Sequence, residues 1–433
     1  LSRPLSTLST DMNKISLLPI FLLILATTAC RNKDLFDKEE YMEIVWDSFP
    51  VDSIDQYHDW SLVKTLRISV TANIDDNDVE KVMIFNANPY GDTTACILAQ
   101  AEASHGQQVW LTVEIPITQT TLYAAVVTRS GQYYVKPFRH TQGDVTFDGG
   151  NIVRQGTLTT IVNSAFTYLF EETFPMPGDF DFNDVVLRIS KDTPQNNILQ
   201  LNVTLQAVGA SKKIGAAVRL VGIPSEMVQD ITCDGSQMDE GFPLSRDMIS
   251  NTLWVKGRGG EAVINLFEDA HWALNPQTDV LGSVLRLNYN TRNYEKENES
   301  AFAQPKTRTY TITLKDDADI SQYALSMIDP FIIESYNSMY FEVHTYPYKS
   351  DEVLWEYIGD DKNAYNDHMA WALLIPDTQF AYPLEETPIG TYRHNEIFGA
   401  YNRYHHSFGE WVNNHLTATD WWTYPSSTLV YQQ

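Results

Sequence analysis

Residues 199–208 read LQLNVTLQAV, with Leu199, Leu201, Val203, Leu205 and Ala207 alternating against Gln200, Asn202, Thr204 and Gln206. A period of two sets one row of side chains on each side of an extended backbone, so this stretch is a strand with one dry and one wet face. The alternation recurs at residues 65–72, where Leu66, Ile68, Val70 and Ala72 oppose Thr65, Arg67, Ser69 and Thr71. It returns at Tyr310, Ile312 and Leu314, and at Met339, Phe341 and Val343. Half-dry strands belong to antiparallel sheets packed face to face. Turn formers (Asn88-Pro89, Gly149-Gly150, Gly259-Gly260, Pro347) separate them. The expected fold is therefore mainly β, with two antiparallel, β-sandwich-like domains at 60–155 and 156–433, divided at the Gly-rich stretch 148–156. One segment departs from the period. Ile397, Tyr401, Tyr404, Phe408, Trp411 and His415 fall at steps of three and four, which predicts a short C-terminal helix packed on the second domain. Gly399 and Gly409 oppose it, at about 1 kcal/mol each relative to Ala.

Among 433 residues, 43% are apolar and 20% charged, a composition of folded domains and not of a disordered chain. Lys and Arg total 30 against 56 Asp and Glu, a net charge of −26. Phosphate backbones would repel such a chain, so no nucleic acid is expected as a partner. An anionic leaflet would not hold it through basic residues either. The same charge suits a protein that meets cations. Aromatic residues reach 12%, fitting sandwich cores or sugar-stacking surfaces.

The first thirty residues read as a targeting segment. After Met12 and Lys14, residues 15–29 run ISLLPIFLLILATTA. Fifteen residues fall short of the roughly 20 that span a bilayer, and a basic residue, an apolar run and a small-residue end make a secretory signal. Residues 1–11 read as an upstream extension. Small residues before Cys30 resemble a bacterial lipobox, which makes Cys30 the expected lipid attachment site and places the protein at the outer membrane. Residues 31–59 form an acidic tether. Its early group (Asp34, Asp37, Glu39, Glu40) resembles the signal that sends Bacteroidetes lipoproteins to the outer leaflet. Only Cys96 and Cys233 remain beyond it. They could form one disulfide but offer neither a disulfide framework nor zinc spacing.

The sharpest local signal is TYLFEETFPMPGDFDFNDVVLRIS, residues 167–190. Tyr168 and Phe170 lead in as a strand, and Val185, Leu187 and Ile189 lead out as another. Between them Pro175, Pro177 and Gly178 stiffen a turn, and Asp179, Asp181, Asn183 and Asp184 crowd together with Glu171 and Glu172. At about 5 Å and an effective dielectric near 20, each like-charge pair costs roughly 3 kcal/mol. A hard divalent cation reverses that sign. Ca²⁺ takes six to eight oxygens from carboxylates, amide carbonyls and water, which is what this loop supplies, so Ca²⁺ is the expected cofactor and these six residues its expected ligands. Mg²⁺ would keep more water and use fewer of them. The loop is no EF-hand: counting from Asp179, Asp184 stands where Gly is needed, Ser190 stands at the twelfth position, and strands flank it. Phe180 and Phe182 alternate with the acids, so burial of the rings would hold the carboxylates opposite them.

FEETFPMPGDFDFNDVV, residues 170–186, resembles the FEDxWPxxGDxDFNDxV signature of the LruC-domain lipoproteins of Bacteroidetes. Four further stretches resemble that family: Phe341-Glu342-Val343-His344 its EVH strand, residues 369–376 (MAWALLIP) its PWAxxIP run, residues 380–385 (FAYPLE) its FxYPxE run, and Trp411 with Trp421-Trp422 its closing aromatics. Residues 60–150 look like the β-domain that usually precedes it. Two departures stand out: Glu172 replaces the family's Asp, lengthening one arm, and Asn402 stands where a proline follows the Ala-Tyr pair. The resemblance implies a secreted or surface-anchored, mostly β lipoprotein, and transfers no activity.

No HExxH, GxSxG, Walker loop or GxGxxG motif is present. His344, with Glu342 and Tyr340 at period two, reads as a hydrogen-bonded structural histidine. His405 and His406 would point about 100° apart on a helix, unfit for joint metal ligation. Trp371, Trp411, Trp421 and Trp422 read as core before sugar platform. The chain is thus expected to be no enzyme but a Ca²⁺-stabilised surface module with a glycan or protein ligand. A structural envelope component is the alternative. A glycan-degrading enzyme, needing two carboxyls about 5–5.5 or 6.5–9.5 Å apart across a sugar site, ranks last.

Overall fold

Alternating strands pair into sandwiches because each has one face to hide. The computed structural model describes residues 54–148, 162–174, 178–192, 194, 196–234, 253–257, 259–292, 299–315, 320, 323–336, 339–345, 347–348, 370–377, 379–389 and 406–431. The first strands are β1 (Val63–Thr71), β2 (Val79–Phe85), β3 (Cys96–Glu102), β4 (Gln108–Pro116), β5 (Thr121–Thr128), β6 (Tyr133–Arg139), β7 (Asp144–Thr146) and β8 (Val162–Asn163). They form a three-stranded sheet, β4-β1-β7, facing a five-stranded one, β6-β5-β2-β3-β8. Ile68, Val70, Leu111 and Val113 from the first meet Val82, Ile84, Leu122 and Val126 from the second in one buried cluster.

The larger sandwich uses β9 (Ala165–Phe170), β10 (Val185–Lys191), β11 (Ile198–Ala207), β12 (Gly215–Pro224), β13 (Val228–Asp234), β14 (Trp254–Lys256) and β15 (Glu261–Phe267). A short helix α1 (Ala270–Leu274) and the small strands β16 (Asn288–Tyr289) and β17 (Ser300–Ala301) follow. The chain then returns through β18 (Lys306–Leu314), β19 (Ile328–Tyr336), β20 (Met339–His344) and β21 (Ala372–Ile375). A six-stranded sheet, β13-β18-β11-β10-β9-β21, packs on a five-stranded one, β14-β15-β12-β19-β20. The dry row of β11 (Leu199, Leu201, Val203, Leu205) is buried in the same cluster as Val218, Leu220, Ile264 and Ile332. At about 1.5–3 kcal/mol per fully buried aliphatic side chain, this face holds the sandwich together. The mainly β, two-sandwich architecture read from the alternation is the one present.

Three readings meet the structure differently. The C-terminal helix α2 spans Phe408–Asn413, shorter than the periodicity suggests. Ser407 caps it, taking the Glu410 N–H while the Glu410 carboxylate takes the Ser407 N–H, so the described helix starts at this capping box. Ile397, Tyr401 and Tyr404 lie outside the described residues. Second, the end of the segment read as tether is docked. Asp55 donates its N–H to Val412 O at 2.9 Å, and Trp60 stands edge-on to Trp411 at 5.7 Å between ring centres. Third, Cys96 on β3 and Cys233 on β13 are free thiols, and burial, with the Asp377 charge, pushes the Cys96 thiol up to about 12. Cys30, the signal segment and the boundary at 155/156 lie outside the described residues.

Candidate metal centre

Strands β9 and β10 pair antiparallel, with Phe170 opposite Val185. Glu171 and Asp184 therefore stand at the mouth of the loop that joins them. Phe180 and Phe182 both take left-handed backbone conformations, at φ 54° and 55°. Each costs roughly 1–2 kcal/mol for a residue with a Cβ. Ring burial holds them there: both are fully buried, Phe180 lies 6.3 Å from the Trp371 ring, and its carbonyl accepts the Ile389 N–H at 2.8 Å. The turned backbone aims the Phe182 N–H at Glu171 Oε1, 2.6 Å away. Asp181 accepts the Asn183 N–H at 3.1 Å through Oδ1 and the Glu386 N–H at 2.8 Å through Oδ2.

One carboxylate oxygen from each of Glu171, Asp179 and Asp181 falls within 4.8 Å of the other two. Asn183 and Glu385 meet each other over Gly209, and the Glu385 charge acts on Glu171 and Asp181. A Cβ on Gly209 would overlap Asn183 Oδ1 and sit 2.5 Å from Glu385 Oε2, so this position requires glycine. A Cβ on Gly178 would likewise lie 2.6 Å from Glu171 Oε2. Glu171 Oε2, Thr173 Oγ1 and Asn183 Oδ1 are buried and accept no hydrogen bond among the described residues. Native interiors rarely leave buried acceptors unpaired, and each such group costs about 1–3 kcal/mol, more when charged.

The electrostatics agree. Burial, then the Asp179 charge, raises the Glu171 carboxyl well above its ordinary range. Asp181 is raised in the same way by burial, Asp179 and Glu171, and Asp184 by burial, Glu171 and Glu172. Asp179, half-buried, is raised by burial and by Glu172 and Glu386. Burial and Asp179 push Glu385 up to about 8. Three of these acids, Glu171, Asp179 and Asp181, offer oxygens at one point, and the neighbouring charges of Asp184 and Glu385 add to a repulsion that a cation would relax. The donors are all oxygens, the set a hard cation takes.

Of the six residues expected as ligands, Glu171, Asp179 and Asp181 converge on this point. Asn183 meets Glu385 over Gly209 and donates its amide to Pro383 O at 3.2 Å, and the other two serve the base of the loop. Glu172 turns aside, accepting the Ser211 hydroxyl at 2.7 Å and the Lys212 N–H at 2.9 Å. Asp184 Oδ2 accepts the Glu172 N–H at 2.6 Å. Two further acids that the loop sequence does not reveal act on the site by charge. Glu385 arrives from 200 residues downstream, its Oε2 accepting the Thr291 hydroxyl at 3.1 Å. The acid ending the FAYPLE run was the signal available for it. Glu334 on β19 is buried, its carboxyl held well above its ordinary range by burial, with Lys212 Nζ 3.9 Å away. Nothing in its sequence context marks it.

The other candidate groups are structural in their contacts. His344 bonds Asp329 at 2.9 Å and stacks on Phe331 at 4.5 Å. His406 precedes α2, bonded to Asp420 at 2.6 Å; His405 lies outside the described residues. Trp371, Trp411 and Trp421 are buried in the core, and Trp422 packs against it half-buried.

Fold and site together define a two-sandwich β protein with an acid-lined loop at the mouth of one hairpin. The family described as "Domain of unknown function (DUF4842)" matches residues 197–422, over half of the chain, and the chain belongs to that family. The matched region begins after the acidic loop but contains Gly209, Glu334 and Glu385. A similar fold occurs in a crystal structure from Bacteroides ovatus described as a "Putative lipoprotein". The TM-score is 0.53 at 15% identity, and the match covers 82% of this chain and 100% of that one. No curated protein matches the chain.

Proposed function

We propose that the chain is a non-catalytic, lipid-anchored protein of the cell surface, whose larger sandwich is held by Ca²⁺ and which binds a glycan or protein partner and no nucleic acid. The observation that carries the reading is the convergence of Glu171, Asp179 and Asp181, with buried oxygens of Glu171 and Asn183 that accept no hydrogen bond among the described residues and Glu385 adding its charge beside them. Ca²⁺ accepts this many oxygens at once, and water would complete the shell. The apolar run ending at Cys30 supports the anchor, as does the fold shared with a protein described as a lipoprotein. Within its family the chain reads as an LruC-domain lipoprotein of the outer membrane, on the strength of the loop and the C-terminal runs. The bonds of His344 to Asp329 and of His406 to Asp420 support a structural and not a catalytic use of these two histidines.

The test is thermal. At 100 times its dissociation constant, Ca²⁺ adds about 2.7 kcal/mol to the stability of a chain beginning at residue 31. Asp181→Ala is expected to remove most of that gain, read as the shift in Tm with and without Ca²⁺. A variant that keeps the full shift overturns the site.

A further inference from the structure

The wet face of the central strands carries an unusual set of groups for so acidic a chain. On β11 and its neighbour β18 the outward positions are Gln200, Asn202, Thr204, Thr307, Thr309 and Thr311, none of them charged. They bond to one another across the strands: Gln200 to the Thr311 hydroxyl at 3.2 Å, and the Thr309 hydroxyl to Asn202 Oδ1 at 2.7 Å. Next to them, Asp192 Oδ1 accepts the Asn163 amide at 2.6 Å and the Asn202 amide at 3.4 Å. These bonds fix the amides in place before any ligand arrives, which lowers the entropy cost of binding.

The edge of the smaller sandwich, β3 and β8, stands beside that face, and between them lies a half-open groove of about 720 Å³. Small-ligand sites typically span roughly 300–1,000 Å³. Ile97, Val162 and Ile198 give the walls aliphatic surface, and Gln100 enters from β3. The Gln100 amide oxygen is buried and has no hydrogen-bond partner among the described residues.

We propose that this inter-sandwich groove binds a neutral carbohydrate, with Gln100, Asn163, Asp192, Gln200, Asn202 and Thr311 supplying its hydrogen bonds. Sugar hydroxyls both donate and accept, and a side-chain amide offers one of each from a planar group, so amides side by side match vicinal hydroxyls. The single carboxylate accepts two hydroxyl protons and, with the net charge of −26, repels anionic glycans. Aliphatic contacts meet the C–H faces of the sugar. The site stands apart from the acidic loop: Asp184 and Ser190 are six residues apart along β10, roughly 20 Å. Ca²⁺ therefore bears on the groove through the fold and does not touch the sugar.

The inference rests on the reading of the protein as a binding module, and its test separates the two. The chain from residue 31, with Ca²⁺, is run in affinity gels containing neutral polysaccharides (mannan, xyloglucan) or anionic ones (polygalacturonate, chondroitin sulfate). Retardation by a neutral polysaccharide is expected, weakened at least tenfold in Asn202→Ala and, from the opposite wall, in Gln100→Ala. The Ca²⁺-induced shift in Tm, measured on the same samples, should persist in both variants and shows that each is folded. No retardation by the neutral polymers, retardation by the anionic ones alone, or unchanged binding in both variants overturns the groove while leaving the metal site standing.

Discussion

Glu171 and Asn183 each hold a buried acceptor that no group among the described residues satisfies. Gly209 allows the closest approach. Gly209→Ala places a methyl group against Asn183 Oδ1 and Glu385 Oε2, and both must move. The expected outcome is loss of the Ca²⁺-induced rise in Tm with the strand signal in circular dichroism retained; a normal rise would show that Asn183 and Glu385 are not ligands. A second residue-scale prediction concerns His344. Burial lowers its affinity for a proton, but Asp329, by charge and hydrogen bond, and Glu342 outweigh burial and raise it to about 9. A folded-state value above the unfolded 6.5 means that the pair's stabilisation is complete below about pH 6.5 and is lost as pH rises through about 9. His344→Gln should therefore cost stability near neutrality and progressively less above pH 9, measured by denaturant midpoints across that range. A pH-independent gap would contradict a charged pair. At this scale the loop acids were legible because they are neighbours in sequence. That Glu172 faces Ser211 and Lys212, and that Glu385 comes beside the loop, depended on chain segments brought together only by folding.

Elements divide along the same line. Strands β1, β11, β18 and β20 can be read from alternation, because burying one face of a strand is a local demand on sequence. Their partners cannot: β9 pairs with β21 across 200 residues, and β11 with β18 across 100, and the choice is made by the whole core. The α2 helix was legible in its buried face, Phe408 and Trp411, but its start is fixed by the hydroxyl of Ser407, a feature the apolar period does not report. Most instructive is the segment 54–62, polar enough to read in part as tether. It docks on α2 through the Asp55 carboxylate, which bonds the His415 ring at 2.5 Å, and through His58, whose Nε2 lies 3.1 Å from Trp411 O. Trp60 and Leu62 then enter the larger core. Trp60→Ala should destabilise the protein by about 3–5 kcal/mol, the usual cost of emptying a buried tryptophan site. Chemical denaturation of the chain from residue 31 measures it, and an unchanged midpoint would make the segment a passenger on the surface of α2.

On the scale of the whole molecule, the proposed reading raises the question of what would hold so acidic a body at a membrane. No helix among the described residues is long and apolar enough to cross one. A net charge of −26 opposes contact with anionic headgroups. Under the proposed reading, then, acyl chains on Cys30 carry the attachment alone, at about 0.8 kcal/mol per buried methylene. Two consequences separate this from peripheral binding. High salt, which screens surface charge over a few ångströms, should leave the protein in the membrane fraction. Cys30→Ser should release it, because in this reading the acyl chains are its hold on the membrane. The measurement is the distribution between membrane and soluble fractions of cells expressing each form, with the Ca²⁺-induced Tm shift confirming that the released protein is folded. Retention of Cys30→Ser in membranes, or release of the unmodified sequence by salt, would remove the anchor from the proposal and leave a Ca²⁺-dependent sandwich held by some other contact.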